Sequence, residues 1–104
     1  DVVWTGGISE LRKIATMAEA YYIPVSPHNA MGSIQIIAGA HTMMTVPNFY
    51  RLEFSIAALE SYNAVLDKPL DIRDGNLLLP TGPGLGYDLD TEFMAAHPDP
   101  AWNG

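Results

Sequence analysis

No cysteine occurs in the 104 residues, which removes disulfides and thiolate metal sites and suits a reducing cytoplasm. Basic residues are scarce: five Lys and Arg stand against twelve Asp and Glu, for a formal net charge of -7. That balance argues against a nucleic-acid backbone or an anionic membrane surface as partner. A small anionic substrate remains open, because a metal ion or a few local donors can reverse the field inside a pocket. No apolar run approaches the roughly 20 residues of a membrane span, and no segment has a signal-peptide layout. A soluble, cytoplasmic protein is therefore expected. The chain opens on Asp1-Val2-Val3-Trp4 without an initiator methionine and reads as a piece of something longer.

What is present is globular in character, with 48% apolar and only 16% charged residues in about one small domain's length. Gly6-Gly7 reads as a turn feeding a helix with Ser9 as N-cap, and Leu11, Ile14, Ala15 and Ala18 fall on one face. That helix is expected to end near Tyr21, because Pro24 biases Ile23 towards extended backbone. Residues 23–26 then form a short strand. Ser33 is placed to cap a second helix, apolar on both the Ile34-Ile37-Ala38-His41-Met44 face and the Ile36-Ala40-Met43 face, and so expected to be heavily covered. Pro47 closes it before a strand over 48–53.

After Glu53 the register changes. Residues 54–66 suggest an irregular helix, and 69–80 a β-hairpin turning at Arg73-Asp74-Gly75-Asn76. The Gly-rich run 82–86 is a rigid crossing segment. It is no phosphate loop, since Pro83 lacks an N–H and no Lys-Ser/Thr follows. The tail from Ala95 to Gly104, which carries Trp102, receives no assigned structure. Two successive helix–strand units, Gly7–Ser26 and Ser33–Glu53, predict an α/β fold with a parallel sheet.

Polar residues at the carboxyl ends of parallel strands usually face the ligand. His28 follows the first strand and Glu53 ends the second. If Asp1 also ends a strand, three consecutive strand ends present Asp, His and Glu, and neighbouring strands lie about 4.8 Å apart. A carboxylate beside an imidazole holds its tautomer and favours its protonated form, the usual preparation of a general acid/base. Glu53 would then bond a substrate oxygen that gains charge. Its bland alternative is pairing with Arg51 two residues earlier. A metal site of His28, Asp1 and Glu53 is the other alternative, since all three are legitimate ligands. His41 is read as a packed core histidine, His97 as merely exposed, and the five methionines as packing, with Met31 near enough to the His28 loop to touch substrate.

Taken in order, Asp1 with Gly6-Gly7-Ile8-Ser9-Glu10, Pro24-Val25-Ser26-Pro27-His28-Asn29 with Gly32, Asn48 through Leu52-Glu53, and Asp74-Gly75-Asn76-Leu77 with Pro83-Gly84-Leu85-Gly86 resemble the C-terminal part of the enolase superfamily. More narrowly they resemble its mandelate racemase-like acid-sugar dehydratases, the galactonate dehydratase type among them. The resemblance covers Asp1 to about Asp90. It implies the C-terminal portion of a modified (β/α)8 barrel: residues 1–60 as partial barrel, and 61–104 as a hairpin and tail packing back on the barrel or a capping domain. A whole barrel takes roughly 250 residues.

The same resemblance implies Asp1, His28 and Glu53 as the acidic, imidazole and second acidic groups of strands six, seven and eight. His28 and Asp1 would form a proton-transferring dyad, and Glu53 would bond the substrate carboxylate as it becomes an enediolate. It further implies a small-molecule sugar acid as substrate, Mg²⁺ as cofactor held by acidic strand ends absent from these residues, and a homo-oligomeric full-length form. A racemase or epimerase of the same architecture is the alternative, and a non-catalytic interaction fragment is the alternative outside enzymes. A positioned base contributes only about 10²–10⁴-fold, so the chain by itself is expected to be inactive.

Overall fold

Helix α1 spans Ile8–Glu19 and helix α2 spans Ser33–Met43 in the computed structural model, which describes residues 1–101. Neither is capped by the serine expected for it. Gly7 stands at the N-cap of α1 with φ 110, a backbone that a Cβ would strain, so Ser9 falls inside the first turn. Gly32 takes the equivalent place before α2, and Ser33 is the first helical residue, buried rather than capping. The regular part of α1 stops before Tyr21. Tyr22 adopts φ 56, and the N–H groups of Ile23 and Tyr22 return to the carbonyls of Ala18 and Glu19 (3.0 and 2.9 Å). That paired closure satisfies two terminal carbonyls, with a tyrosine where glycine is usual.

The chain divides into two compact units, Asp1–Ala57 and the residues from Ala58 onward. In the first, α1 packs on α2. Leu11 and Ala15 are the buried members of the α1 stripe, whereas Ile14 is exposed. Ile36, Ile37, Ala38, Ala40 and Met43 of α2 are buried, so the helix is covered on most of its circumference, leaving Ile34 and Met44 outside. His41 is half-buried.

The two expected strands shrink to one parallel bridge, Val25 to Phe49. Val25 N–H donates to Asn48 O (2.8 Å) and Tyr50 N–H to Val25 O (2.9 Å). Side chains extend the pairing where the ladder stops. Ser26 Oγ donates to Arg51 O (2.7 Å), and Asn48 Nδ2 donates to the carbonyls of Ala15 and Ile23 (3.0 Å each). Prolines at 24, 27 and 47 explain the shortness, because each removes a ladder donor from or beside these segments.

A 3-10 turn, Ile56–Ala58, ends where the second unit begins and leads into α3, Leu59–Ala64. Tyr62, Leu66 and Leu70 are buried. The hairpin is present but minimal: β1 is Ile72–Arg73 and β2 is Asn76–Leu77, antiparallel, with Leu78 N–H extending the pairing to Asp71 O (2.8 Å). Asp74 and Gly75 both have positive φ, 50 and 76, as the tightest hairpin turn requires. An antiparallel bridge joins Leu66 to Leu89. A helix that the sequence reading missed, α4, Thr91–Ala96, runs into the start of the tail, and its N-cap Asp90 accepts from Phe93 N–H (2.8 Å). His97 is exposed and stacks on Phe93. Trp102 lies outside the described residues. None of the described helices is long and apolar enough to cross a membrane.

Candidate active site

Asp1, His28 and Glu53 converge. His28 Nδ1–H donates to Asp1 Oδ2 at 2.8 Å, and His28 Nε2 lies 4.0 Å from Glu53 Oε2. The parallel bridge at Val25 and Phe49 sets this spacing. It fixes two neighbouring chain segments in register three or four residues before His28 and Glu53 emerge. An ionised carboxylate can only accept, so the partner atom Nδ1 carries the proton and Nε2 is left for chemistry.

Asp1 is held tightly through both carboxylate oxygens. Its Oδ1 accepts from the N–H groups of Val3 (2.7 Å) and Trp4 (3.0 Å). Its Oδ2 accepts from His28 and also from Gln35 Nε2 (2.6 Å). Four donors fill the roughly four lone-pair sites of a carboxylate. Its side chain is only 9% exposed, against 53% for His28 and 52% for Glu53. The carboxylate is thus an anchor, and the imidazole and Glu53 face outward.

Glu53 does not pair with Arg51. Its Oε2 accepts from Asn29 N–H (3.1 Å), whereas Arg51 donates to Tyr50 Oη and lies over the Tyr50 ring. Asn29 is completely buried, its Nδ2 bonded to Pro27 O (3.3 Å), and so fixes the loop that carries the N–H. Trp4 Nε1 donates to Met31 Sδ (2.8 Å), holding an exposed indole and thioether over the same stretch of chain.

Two contributors escaped the sequence reading. Gln35 lies in a helix read only for its apolar faces, and its partners lie up to 34 residues away. The Asn29 N–H is backbone and has no sequence signature. The polarity of Gln35 among apolar neighbours was the one available signal.

A metal site built from Asp1, His28 and Glu53 does not survive. No three His, Asp or Glu among the described residues form a metal-holding group. The donor chemistry gives the reason: every lone-pair site of Asp1 is taken, and His28 Nδ1 is engaged, which leaves Nε2 and Glu53. Mg²⁺ demands near-octahedral oxygen ligation, and these residues do not fit it.

Residues 1–93 match the enolase C-terminal domain-like family. The chain is 36% identical over 97 residues to the D-xylonate dehydratase of Haloferax volcanii, covering 93% of this chain and 24% of that protein. It is 35% identical over 89 residues to the arabinonate dehydratase of Saccharolobus solfataricus, covering 86% and 24% respectively. Among solved structures, a mandelate racemase/muconate lactonizing enzyme-like protein from Rubrobacter xylanophilus superposes with a TM-score of 0.80 at 35% identity, over 91% of this chain and 25% of that one. The chain therefore spans about a quarter of the length of the curated relatives it matches.

Proposed function

This chain belongs to the enolase C-terminal domain-like family and is the C-terminal portion of a (β/α)8 barrel, and from that premise we propose that it serves in a Mg²⁺-dependent dehydratase of sugar acids. His28 and Asp1 form the acid/base dyad, and Glu53 stabilises the intermediate. The observation that carries this reading is the polarity of His28. One nitrogen is tied to an anchored carboxylate, and the other is presented towards Glu53 on an exposed rim.

In dehydration the C–H bond α to the carboxylate breaks and its proton goes to a base. The electron pair forms the carbon–carbon double bond as the neighbouring C–O bond breaks, and an acid protonates the departing hydroxyl to water. The resulting enol ketonises to a 2-keto-3-deoxy acid. His28 Nε2 can take the α-proton when neutral, or give its proton to the hydroxyl when charged, and Asp1 holds the ring in place for either. Glu53 has Oε2 bonded to Asn29 N–H, which leaves Oε1 to face the substrate carboxylate, donating to it when it carries a proton, as charge builds there. The residues of this chain do not form the Mg²⁺ site. Its acidic ligands are assigned to the remainder of such an enzyme, and no step above runs through the metal.

The sugar-acid assignment is supported by the names of the two curated relatives. A racemase or epimerase is the second reading, favoured by the structural likeness to a mandelate racemase/muconate lactonizing enzyme-like protein. Racemisation needs a second base on the opposite substrate face.

The test is His28→Asn in the full-length protein, assayed with D-xylonate and arabinonate for 2-keto-3-deoxy acid. Activity should fall by about 10²–10⁴-fold, the scale of a positioned acid/base, with Mg²⁺ binding retained. Undiminished turnover in that variant would remove His28 from the mechanism. Exchange of the α-proton without loss of water in the unmutated protein would favour the second reading.

A further inference from the structure

We propose that Gln35 is a positioning residue of the acid/base dyad, a clamp that bonds both halves of it at once and that the family-level reading of the site does not contain. Its Nε2 donates to Asp1 Oδ2 (2.6 Å) and to the backbone carbonyl of His28 (3.2 Å), while its Oε1 accepts from Met31 N–H (2.7 Å). The side chain sits in the first turn of α2 and is 3% exposed.

The amide orientation is over-determined by these partners. Two acceptors face the nitrogen and one donor faces the oxygen, so a flipped amide would set oxygen against two oxygens and nitrogen against an N–H. A helix that sets Ile34, Ile36, Ile37 and Ala38 beside this point gains nothing in packing from a buried amide that an apolar side chain would not supply. Burying such a group is costly unless it is bonded, and here each bond goes to the dyad or to the loop bearing it.

The consequence is geometric. Asp1 Oδ2 serves two donors, and Gln35 fixes that oxygen independently of the imidazole. When His28 changes its protonation state or moves with substrate, the carboxylate cannot follow it. The bond to His28 O ties the backbone of the imidazole to the same amide, and the bond from Met31 N–H closes the loop over residues 28–31. Charged groups facing His28 are Asp1 and Glu53, and Gln35 contacts the first of these only.

This inference rests on the dyad reading above, and the experiment separates their failures. In the full-length protein, Gln35→Met preserves length and burial while deleting donor and acceptor. Gln35→Glu keeps an acceptor for Met31 N–H but turns an oxygen towards Asp1 Oδ2. Two quantities are read: kcat and KM on D-xylonate and arabinonate, and the downfield proton resonance of the His28 Nδ1–H···Asp1 hydrogen bond, assigned by its loss in His28→Asn.

Both variants should lower kcat by about 10–100-fold, the scale of one hydrogen bond to a charged group, with KM changed less than threefold. Both should also broaden or move the Nδ1–H resonance, Gln35→Glu at least as much as Gln35→Met. If Gln35→Glu is neutral while Gln35→Met is impaired, the amide merely braces the Met31 loop and the proposal falls. An unmoved resonance in folded protein overturns it as well. If Gln35→Met does not fold, Gln35→Glu decides alone. Full activity of His28→Asn would overturn the dyad reading, and the positioning role with it, whether or not the resonance moves in the Gln35 variants.

Discussion

Glu53 is half exposed yet anchored at one oxygen, and this divided state makes its variants informative. Glu53→Gln keeps an oxygen for Asn29 N–H and offers an N–H₂ where a protonated Oε1 would stand. Glu53→Ala removes both and leaves the Asn29 N–H to water. In the full-length protein Glu53→Ala should cost about 10²–10³-fold in kcat, the usual loss for one donor to a developing oxyanion. Glu53→Gln should lose clearly less, with binding of substrate nearly unchanged. Equal losses in the two would mean that Glu53 acts through its charge rather than through a donated hydrogen bond. The comparison with what could be read in advance is sharpest at these same positions. That His28 and Glu53 meet was readable because each follows a strand-like segment at helix-plus-strand spacing, and Asp1 joined them by standing 27 residues before His28. Gln35 was not, because its meaning is tertiary: nothing in Ser33-Ile34-Gln35-Ile36 announces a partner at residue 1.

The helices show the same division between pattern and context. Periodicity located both α1 and α2, since a buried stripe must repeat every three to four residues. Their starts were misplaced because glycine geometry, not a serine side chain, begins each one. The strands were overdrawn: prolines restrict pairing to a single bridge, and apolar composition does not reveal that. Helix α4 was missed although Asp90-Thr91-Glu92 is a fair N-cap signature, because proline and alanine downstream masked it.

One element-level feature is testable through Gly39, which faces Asn29. A Cβ there would stand 3.0 Å from Asn29 Oδ1, and Asn29 is wholly buried with its Nδ2 committed to Pro27 O. Exchanging glycine for alanine inside a helix normally gains about 1 kcal/mol. Here the contact must be relieved by moving a fixed side chain, at a typical overpacking cost of about 1–3 kcal/mol. Gly39→Ala should therefore be destabilising by about 1 kcal/mol in denaturant unfolding of the full-length protein. It should also disturb the Asn29 N–H bond to Glu53, so activity should fall along with stability. A stabilised variant would show that Asn29 yields freely and that α2 does not brace the loop of the site.

The chain as a whole combines an acidic balance of -7 with a large display of apolar side chains. Tyr21, Tyr22, Trp4, Met44 and Ile56 are each about three-quarters or more exposed. Scattered apolar residues are ordinary on a surface, but clustered large ones mark contact faces. The parallel bridge uses both backbone groups of Val25 but leaves Phe49 without a backbone partner among the described residues, a template for a further strand. Like charge opposes association, yet at physiological salt it is screened beyond about 8 Å, whereas apolar burial acts at contact. The purified chain should therefore self-associate, with a light-scattering mass above that of one copy and binding of a hydrophobic dye. It should also fail to dehydrate D-xylonate or arabinonate. A positioned acid/base supplies about 10²–10⁴-fold, and enzymatic accelerations begin near 10⁶-fold, so the difference must come from groups that stabilise the enediolate. A dispersed monomer without dye binding would show that these faces need no partner. Measurable turnover by such a monomer would show that Glu53 and the dyad stabilise the intermediate unaided.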